Sequence, residues 1–357
     1  MACVAIGSYY YLYGIGPFIE HALHTNGHSV IYVGPASPER PGYDSSIPID
    51  QLLSKCSPYP DLFLWVDPAT RYFPRGIEKL PIPTACYLID VHLGTWRESA
   101  ARFFDAVFIA QRDSLPRYRA AVGHDQVYWL PLGASPKVHY RHDLPRIYEV
   151  GFVGNMVLAH RKTLRALRLR LIAEHFRTND LSRVYTPAEV GVVYSQSLIV
   201  ANVSISGDVN MRVFEGTACG ALMLTDSVAN GLEELFVLGR EVVTYRDDAD
   251  MLDMITYYLA HEEERAHIAE ACYLHTQHEH LYTRRFEYLM ERILSPRFKR
   301  LAPRRSASRA ECSAVRRDIY THLHMLDAIL DEASANGEKL PLRAYHVLPC
   351  LVRRLII

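Results

Sequence analysis

Short apolar runs alternate with helical patterns through the first 130 residues, the arrangement a parallel sheet flanked by helices requires. VAIG (4–7), SVIYVG (29–34), LFLWVD (62–67), TACYLID (84–90) and AVFIA (106–110) are the strands. Between them PFIEHALHTNG (17–27) is a bounded helix, with Pro17 at its first position and Gly27 at its C-cap. DSLPRYRAAVG (113–123) repeats the device, with Asp113 as the expected N-cap and Gly123 as the stop. The stretch 130–147, with prolines at 131, 136 and 145, is an expected interdomain linker. A second αβ series follows. Its strands are YEVGFVGN (148–155), SLIVANVS (197–204), ALMLTD (221–226) and REVVTY (240–245), and its helices include 160–176 and 250–271. The expected class is α/β: two Rossmann-like, doubly wound domains facing a cleft. The N-terminal domain covers 1–135, the C-terminal domain 136–295, and a basic connector with a helical extension takes 296–357.

With 357 residues, 49% of them hydrophobic and 22% charged, the chain has room for two such domains. A formal net charge of -1 argues against a wholesale nucleic-acid binder, which carries a strongly basic domain. Seven cysteines without a Cys-x-x-Cys pair read as reduced thiols in a cytosolic protein. The histidine-rich HTQHEH (275–280) reads as a solvated joint between helices, and no His-Glu-x-x-His pattern supports a metal. The N-terminus lacks a basic region ahead of a long apolar core, and no window approaches 18 uninterrupted apolar residues, so a soluble, cytoplasmic protein is expected. Residues 296–310 hold six basic residues and no acid, either a solvated connector or a docking strip at 297–309 for a polyanion or membrane surface. Beyond them, 314–333 is amphipathic, and 340–357 mixes apolar residues with arginine.

In parallel αβ domains, ligands gather at the carboxyl ends of the strands, where glycine turns and helix N-termini approach anions. FVGNMVLAHRK is such a turn: Gly151 and Gly154 flank a strand end, Asn155 follows, and Arg161 and Lys162 open the next helix. Two cations at a helix N-terminus oppose its dipole, so they make better sense facing a bound diphosphate. Arg165 and Arg168, further along, read as a solvated basic stripe beside an apolar face of Leu164, Leu167 and Leu171. In NMRVFEGTACG (210–220) Asn210 is the expected N-cap, Arg212 lies in the first turn, and Glu215 follows at i+3. The bland role for Glu215 is a surface ion pair with Arg212.

The run NMRVFEGTACGALMLTD, followed by GLEELFVLGREVVTYRD, DMLDMITYYLAHEEERAHIAEA and HTQHEHLYTRRFEYLM, resembles the C-terminal half of the CgeB-like glycosyltransferases, part of the wider GT-B group with its retaining, family-4-like enzymes. VYWLPLGASPKVHY and YEVGFVGNMVLAHRKTLRAL are similar to the same family's linker and first C-domain strand and helix, so the resemblance covers about residues 85–293. It implies a metal-independent transferase that takes its sugar from a nucleoside diphosphate held by the C-terminal domain. Gly154, Asn155, Arg161, Lys162, Asn210 and Arg212 would hold the donor, and Glu215 matches the glutamate that grips the ribose hydroxyls. Many family-4-like enzymes carry a second glutamate eight positions earlier. Gly207 stands there, leaving its task to Asp208, Asn210 or Arg212.

In the N-terminal half, Asp90 and His92 follow a strand end, as an acceptor base with its partner or as a cap for a helix from Thr95 to Phe103. Gly14 and Gly16 form a close-approach turn beside tyrosines that either stack on a sugar or pack; Ile19 replaces the last glycine of a dinucleotide fingerprint. Transfer with retention would let the departing phosphate take the acceptor's proton, assisted by Arg161. Inversion would use Asp90 or His92 as base. An epimerase or hydrolase of the same fold, a non-catalytic sugar-nucleotide binder, and a transferase acting on nucleic acid or at a membrane surface are the other readings.

Overall fold

The computed structural model describes residues 1–10, 14–38, 40–67, 72–154, 163–335 and 337. The chain divides into two compact units, one formed by Met1–Leu130 with Glu287–Ile357 and the other by Pro131–Phe286.

The first unit carries the strands β1 (Cys3–Ile6), β2 (Ser29–Tyr32), β3 (Leu62–Val66), β4 (Thr84–Leu88), β5 (Ala106–Ile109) and β6 (Val127–Trp129). All pair in parallel in the order β2-β1-β3-β4-β5-β6. The order reverses between β1 and β3, the kind of point where a ligand crevice opens in such sheets. Five of these strands are the apolar runs of the sequence. The sixth, VYW, is too short to announce itself and is not among the strands expected from the sequence. Four helices join them: α1 (Gly16–Thr25), α2 (Ile49–Leu53), α3 (Trp96–Ala101) and α4 (Leu115–Val122). Pro17 lies in the first turn of α1 but at its second position, one residue later than expected. Asp113 does not cap α4: a 3-10 turn over Arg112–Ser114 puts Ser114 at the N-cap, while Gly123 ends the helix with φ 73°. The β3 and β4 strands are buried along their whole length, as parallel strands covered on both faces are.

The second unit contains β7 (Tyr148–Gly151), β8 (Ser197–Asn202), β9 (Leu222–Asp226) and β10 (Val242–Tyr245), parallel in the order β10-β9-β8-β7. Its helices are α5 (Leu164–His175), α6 (Pro187–Ser195), α7 (Met211–Ala218), α8 (Leu232–Leu235), α9 (Asp248–Ala260) and α10 (Glu262–Glu279), and the division between the units falls inside α11 (Tyr282–Ile293). The helix expected over 250–271 is two helices broken at His261. Glu262, Glu263 and Glu264 fill the first turn of α10, where negative charge favours a helix start. The expected linker is fastened down instead of free: Ala134 exchanges backbone bonds with His280 and Tyr282, and Arg146 donates to the carbonyls of Tyr194, Ser197 and Gly220.

Two helical readings change with the third dimension. On α5, Leu164 and Leu167 are exposed, whereas Arg168 is buried with Ala166, Leu169 and Ile172. Arg168 lies over the Tyr245 ring and donates to Asp248 at 2.7 Å, so its stem covers apolar surface while its head stays paired. It is not part of a solvated stripe. The HTQHEH cluster is a solvated joint only in part: it lies where α10 ends, with His278 and Glu279 exposed, but His280 is buried with Nε2 2.9 Å from the Leu235 carbonyl. No group of three metal-ligating side chains forms among the described residues, and no described helix is long and apolar enough to cross a membrane.

The basic strip packs on the first unit, followed by α12 (Arg309–His322) and α13 (Leu326–Ala335), whose Cys312, Ile319, Tyr320, Leu323 and Ile329 join the core around Trp65, Phe73 and Phe104. Asp105, fully buried between α3 and β5, anchors this return. Its carboxylate accepts from the backbone and hydroxyl of Thr84, from the Ala302 N–H, and bidentately from Arg305 at 2.8 and 2.6 Å. Arg300 donates to the carbonyls of Leu80 and Pro81. These two arginines of the strip are occupied in holding the chain to itself. Removing Arg305 strands a buried charge, so Arg305→Ala is expected to lower denaturant stability of the full chain by about 3–5 kcal/mol. Arg300→Ala, which frees only carbonyls, should cost about 1 kcal/mol; equal losses for the two variants would refute the anchor.

Candidate functional site

The carboxyl end of the second sheet concentrates polar side chains around Asn202, the fully buried last residue of β8. Its amide donates to Thr225 Oγ1 of β9 at 2.9 Å, and its backbone carbonyl accepts from the Tyr245 hydroxyl of β10 at 2.9 Å. Asn202 Oδ1 receives Arg212 Nη1 at 2.6 Å and the Asn210 amide at 3.0 Å. One residue, through its side chain and its backbone carbonyl, therefore ties three strands to the start of α7. Asn210 caps that helix as expected, accepting from the Arg212 N–H at 3.1 Å.

Arg212 turns into the unit. Its Nε donates to the Val153 carbonyl at 2.9 Å, and its guanidinium lies 3.9 Å over the Phe152 ring. A Cβ on Gly154 would stand 2.5 Å from Arg212 Nη2, so the missing side chain at Gly154 makes room for this arginine. The sequence assigned that room to a ligand phosphate. Arg212 and Glu215 form no ion pair within 4 Å, so the surface pair considered from the i, i+3 spacing is not what occupies either side chain.

Glu215 faces inward from the second turn of α7, its side chain 13% exposed, with Oε1 3.5 Å from His139 Nε2. Burial pushes its carboxyl up to about 7, against the opposing pull of Arg212. His139, 1% exposed, is driven down to about 3 by burial alone, so the contact joins a neutral imidazole to a carboxyl instead of two charges. The Ser135 N–H donates to His139 Nδ1 at 3.2 Å, which leaves the proton on Nε2, toward Glu215. Sequence reasoning missed His139. It sits in a stretch read as linker, and no motif marks it.

Arg165 is the second residue overlooked. Its Nε and Nη2 both donate to the Val203 carbonyl, at 3.0 and 2.7 Å, just past β8. Burial, and then the neighbouring Arg212 charge, lower it to about 10, while Asp208 and Asp226 pull the other way. It remains protonated at neutral pH beside Arg212, so the strand ends carry two guanidiniums where the sequence placed a solvated side chain. Asp226 is engaged by the Ser204 N–H at 3.0 Å. Asp208 accepts from the N–H groups of Ile205 and Ser206 and so shapes its own loop. Gly207, at the position of the absent second glutamate, has φ 70°, a conformation that a glutamate there would hold only under strain. Asn155, Arg161 and Lys162 lie outside the described residues; α5 begins after them at Leu164, capped by Thr163.

In the first unit, Asp90 is half-buried at the head of a 3-10 turn over Val91–Leu93, and His92 on that turn is exposed. Thr95, not Asp90, stands at the N-cap of α3, so the capping role considered for Asp90 is excluded. A Cβ on Gly16 would meet the Tyr10 ring at 3.3 Å, and Gly14 is buried beside it. The Tyr10 ring packs edge-on to Tyr32, with centroids 6.0 Å apart, and Arg40 lies over both rings while pairing bidentately with Glu20. Tyr10 thus takes the packing role of the two considered for these tyrosines.

Residues 146–291 match the model of a family described as glycosyl transferase-like. No curated protein matches the sequence. Among solved structures, sucrose-phosphate synthase from Thermosynechococcus elongatus is similar with a TM-score of 0.55 and 10% identity, over 82% of this chain and 99% of that one. The UDP-forming α,α-trehalose-phosphate synthase from Burkholderia xenovorans gives 0.54 and 11%, over 83% and 100%. HepE from Anabaena, solved in complex with UDP and glucose, gives 0.51 and 12%, over 82% and 99%. The fold is GT-B, and its second unit contains all but the last few residues of the glycosyl transferase-like segment.

A carboxyl raised from 4.5 to about 7 costs stability when ionised. The folded state holds its proton where the unfolded chain has released it, so stability falls as pH rises from about 4.5 to about 7 and stays lower above that. Glu215→Gln is therefore expected to stabilise the protein at pH 8 by up to about 3 kcal/mol and to have little effect below pH 4.5, read by denaturant melts across pH. A variant less stable than the parent at pH 8 would show that the carboxylate is a structural asset.

Proposed function

We propose that the protein is a glycosyltransferase that moves a sugar from a nucleoside diphosphate to an acceptor hydroxyl, with the donor held by the second unit. The observation that carries this reading is Glu215, a carboxyl kept nearly buried with no charged ion-pair partner among the described residues, at a cost in stability, in a segment matched by the glycosyl transferase-like family. Groups held at such a cost cluster at functional sites. As a carboxylate, Glu215 can accept hydrogen bonds from both hydroxyls of a ribose. Arg165 and Arg212 set positive charge beside the strand ends, and Arg161 and Lys162 complete the set proposed for the diphosphate. Arg161 and Lys162 are the donors proposed to aim at the leaving group, worth roughly 3 kcal/mol each in barrier lowering, and with the added charge of Arg165 and Arg212 the leaving diphosphate needs no metal in this proposal. HepE and the trehalose-phosphate synthase, whose descriptions name UDP, support a nucleoside diphosphate as the donor group.

In the proposed reaction the acceptor oxygen bonds to the anomeric carbon as the bond from that carbon to the diphosphate oxygen breaks. With retention of configuration, the departing phosphate oxygen takes the acceptor's proton on the same face, and no carboxylate nucleophile is required. Asp90 and His92 of the first unit are the residues proposed to handle the acceptor hydroxyl, and one of them serves as base if configuration inverts. A cytoplasmic setting fits the absence of a membrane-crossing helix among the described residues.

The test is calorimetry against UDP, GDP, TDP, CMP and their common sugars with EDTA present. One nucleoside diphosphate is expected to bind, and Glu215→Ala to abolish the binding. Because the carboxylate is the form that accepts from the diol, affinity should fall about tenfold from pH 8 to pH 6. Failure of every nucleotide to bind, or binding indifferent to Glu215→Ala, would remove this function.

A further inference from the structure

Glu215 is held by more than its own helix. The chain from Ser135 to His139 lies against α6, where a Cβ on Gly191 would stand 2.0 Å from the Val138 carbonyl oxygen. Only a glycine in α6 lets this backbone come so close, and the approach carries the next residue, His139, beneath α7. The Ser135 N–H fixes His139 Nδ1 as an acceptor, so the imidazole presents Nε2–H to Glu215 Oε1 at 3.5 Å. The segment itself is pinned on both sides: Ala134 bonds with His280 and Tyr282, and the His142 N–H donates to Ser195 Oγ at 3.1 Å.

We infer that His139 is a positioning residue, whose neutral imidazole orients the Glu215 carboxylate and favours its ionised form for the ligand that carboxylate grips. This rests on the ribose-binding reading of Glu215. Without ligand this 3.5 Å contact falls short of a hydrogen bond, as functional contacts often do before a ligand tightens them. A neutral donor suits the task. An imidazolium would hold the carboxylate as an ion pair and compete with the diol, whereas Nε2–H occupies part of one oxygen and leaves the remaining lone pairs for hydroxyls. The other groups facing Glu215 are Arg212 and Cys219 on its own helix and Tyr194 from α6. Arg212 favours ionisation from a distance with its donors spent on Val153 and Asn202. Cys219 and Tyr194 are both raised by burial, so they stay uncharged through the range where Glu215 titrates. His139 is thus the neutral donor in contact with the carboxylate.

Two substitutions separate this role from plain packing. In His139→Asn, the side-chain oxygen can still receive the Ser135 N–H but the amide does not reach Glu215; in His139→Gln, the amide N–H reaches about as far as Nε2. Infrared difference spectra of the full chain, taken against Glu215→Gln, follow the Glu215 carboxyl through its titration without any ligand. The titration midpoint is expected to rise by about one pH unit in His139→Asn and to return in His139→Gln. Affinity for the nucleoside diphosphate that binds the parent protein should fall about fivefold at pH 7 in His139→Asn, recover in His139→Gln, and match the parent at pH 9, where Glu215 is ionised in all three. A midpoint unmoved by His139→Asn, or a loss of affinity equal at pH 7 and pH 9, would reduce His139 to packing. If no nucleotide binds the parent, the infrared midpoint still decides the pairing, and it is the ribose reading that fails.

Discussion

The buried amide of Asn202 is the joint on which the second unit's polar end depends. Its oxygen is shared by Asn210 and Arg212, its nitrogen is given to Thr225, and its carbonyl takes the Tyr245 hydroxyl. In a low-dielectric interior each of these groups would be costly alone, and together they satisfy one another. The first turn of α7 is thereby fixed to the strand ends, and the direction in which Glu215 leaves that helix follows. Val153, Phe152 and Gly154 close the same network from β7 through Arg212.

Charge is handled in two different ways within one chain. In the first unit, Asp105 with Arg305, and Arg316 with Glu78 and Glu332, are paired as opposite charges, and they fasten the returning C-terminal segment to the first unit. In the second unit, Glu215 is nearly as buried but is answered by a neutral histidine, and Arg165 is answered by a carbonyl. Paired opposite charges make rigid structure. A partly answered charge such as that of Glu215 costs stability, which has to be met by the rest of the core.

Much of this was legible in the residues. Alternating apolar runs located nine of the ten strands, since a buried parallel strand must be apolar along its length. Asn210 announced the start of α7 because an orphan N–H at a helix start demands a side-chain acceptor, and Gly123 announced the end of α4. The misses share a cause. Asp113, the break at His261 and the face of α5 each turned on a neighbour distant in sequence or on a competing local turn. Arg168 looked solvated until Tyr245 and Asp248 came under it, and within the basic run Arg305 is spent on the buried Asp105.

Periodicity, caps and turns act between residues a few positions apart, so the linear order alone was enough to specify strands, helices, their parallel class and the helix that bears Glu215. Which charges are spent and which are held open was beyond its reach. His139 meets Glu215 only because Gly191 admits the Val138 backbone and Asn202 locks α7 in place, and neither condition leaves a local signal. Burial and pairing are properties of the folded neighbourhood, and they turn an unremarkable histidine in a proline-rich stretch into the closest partner of the site's carboxylate.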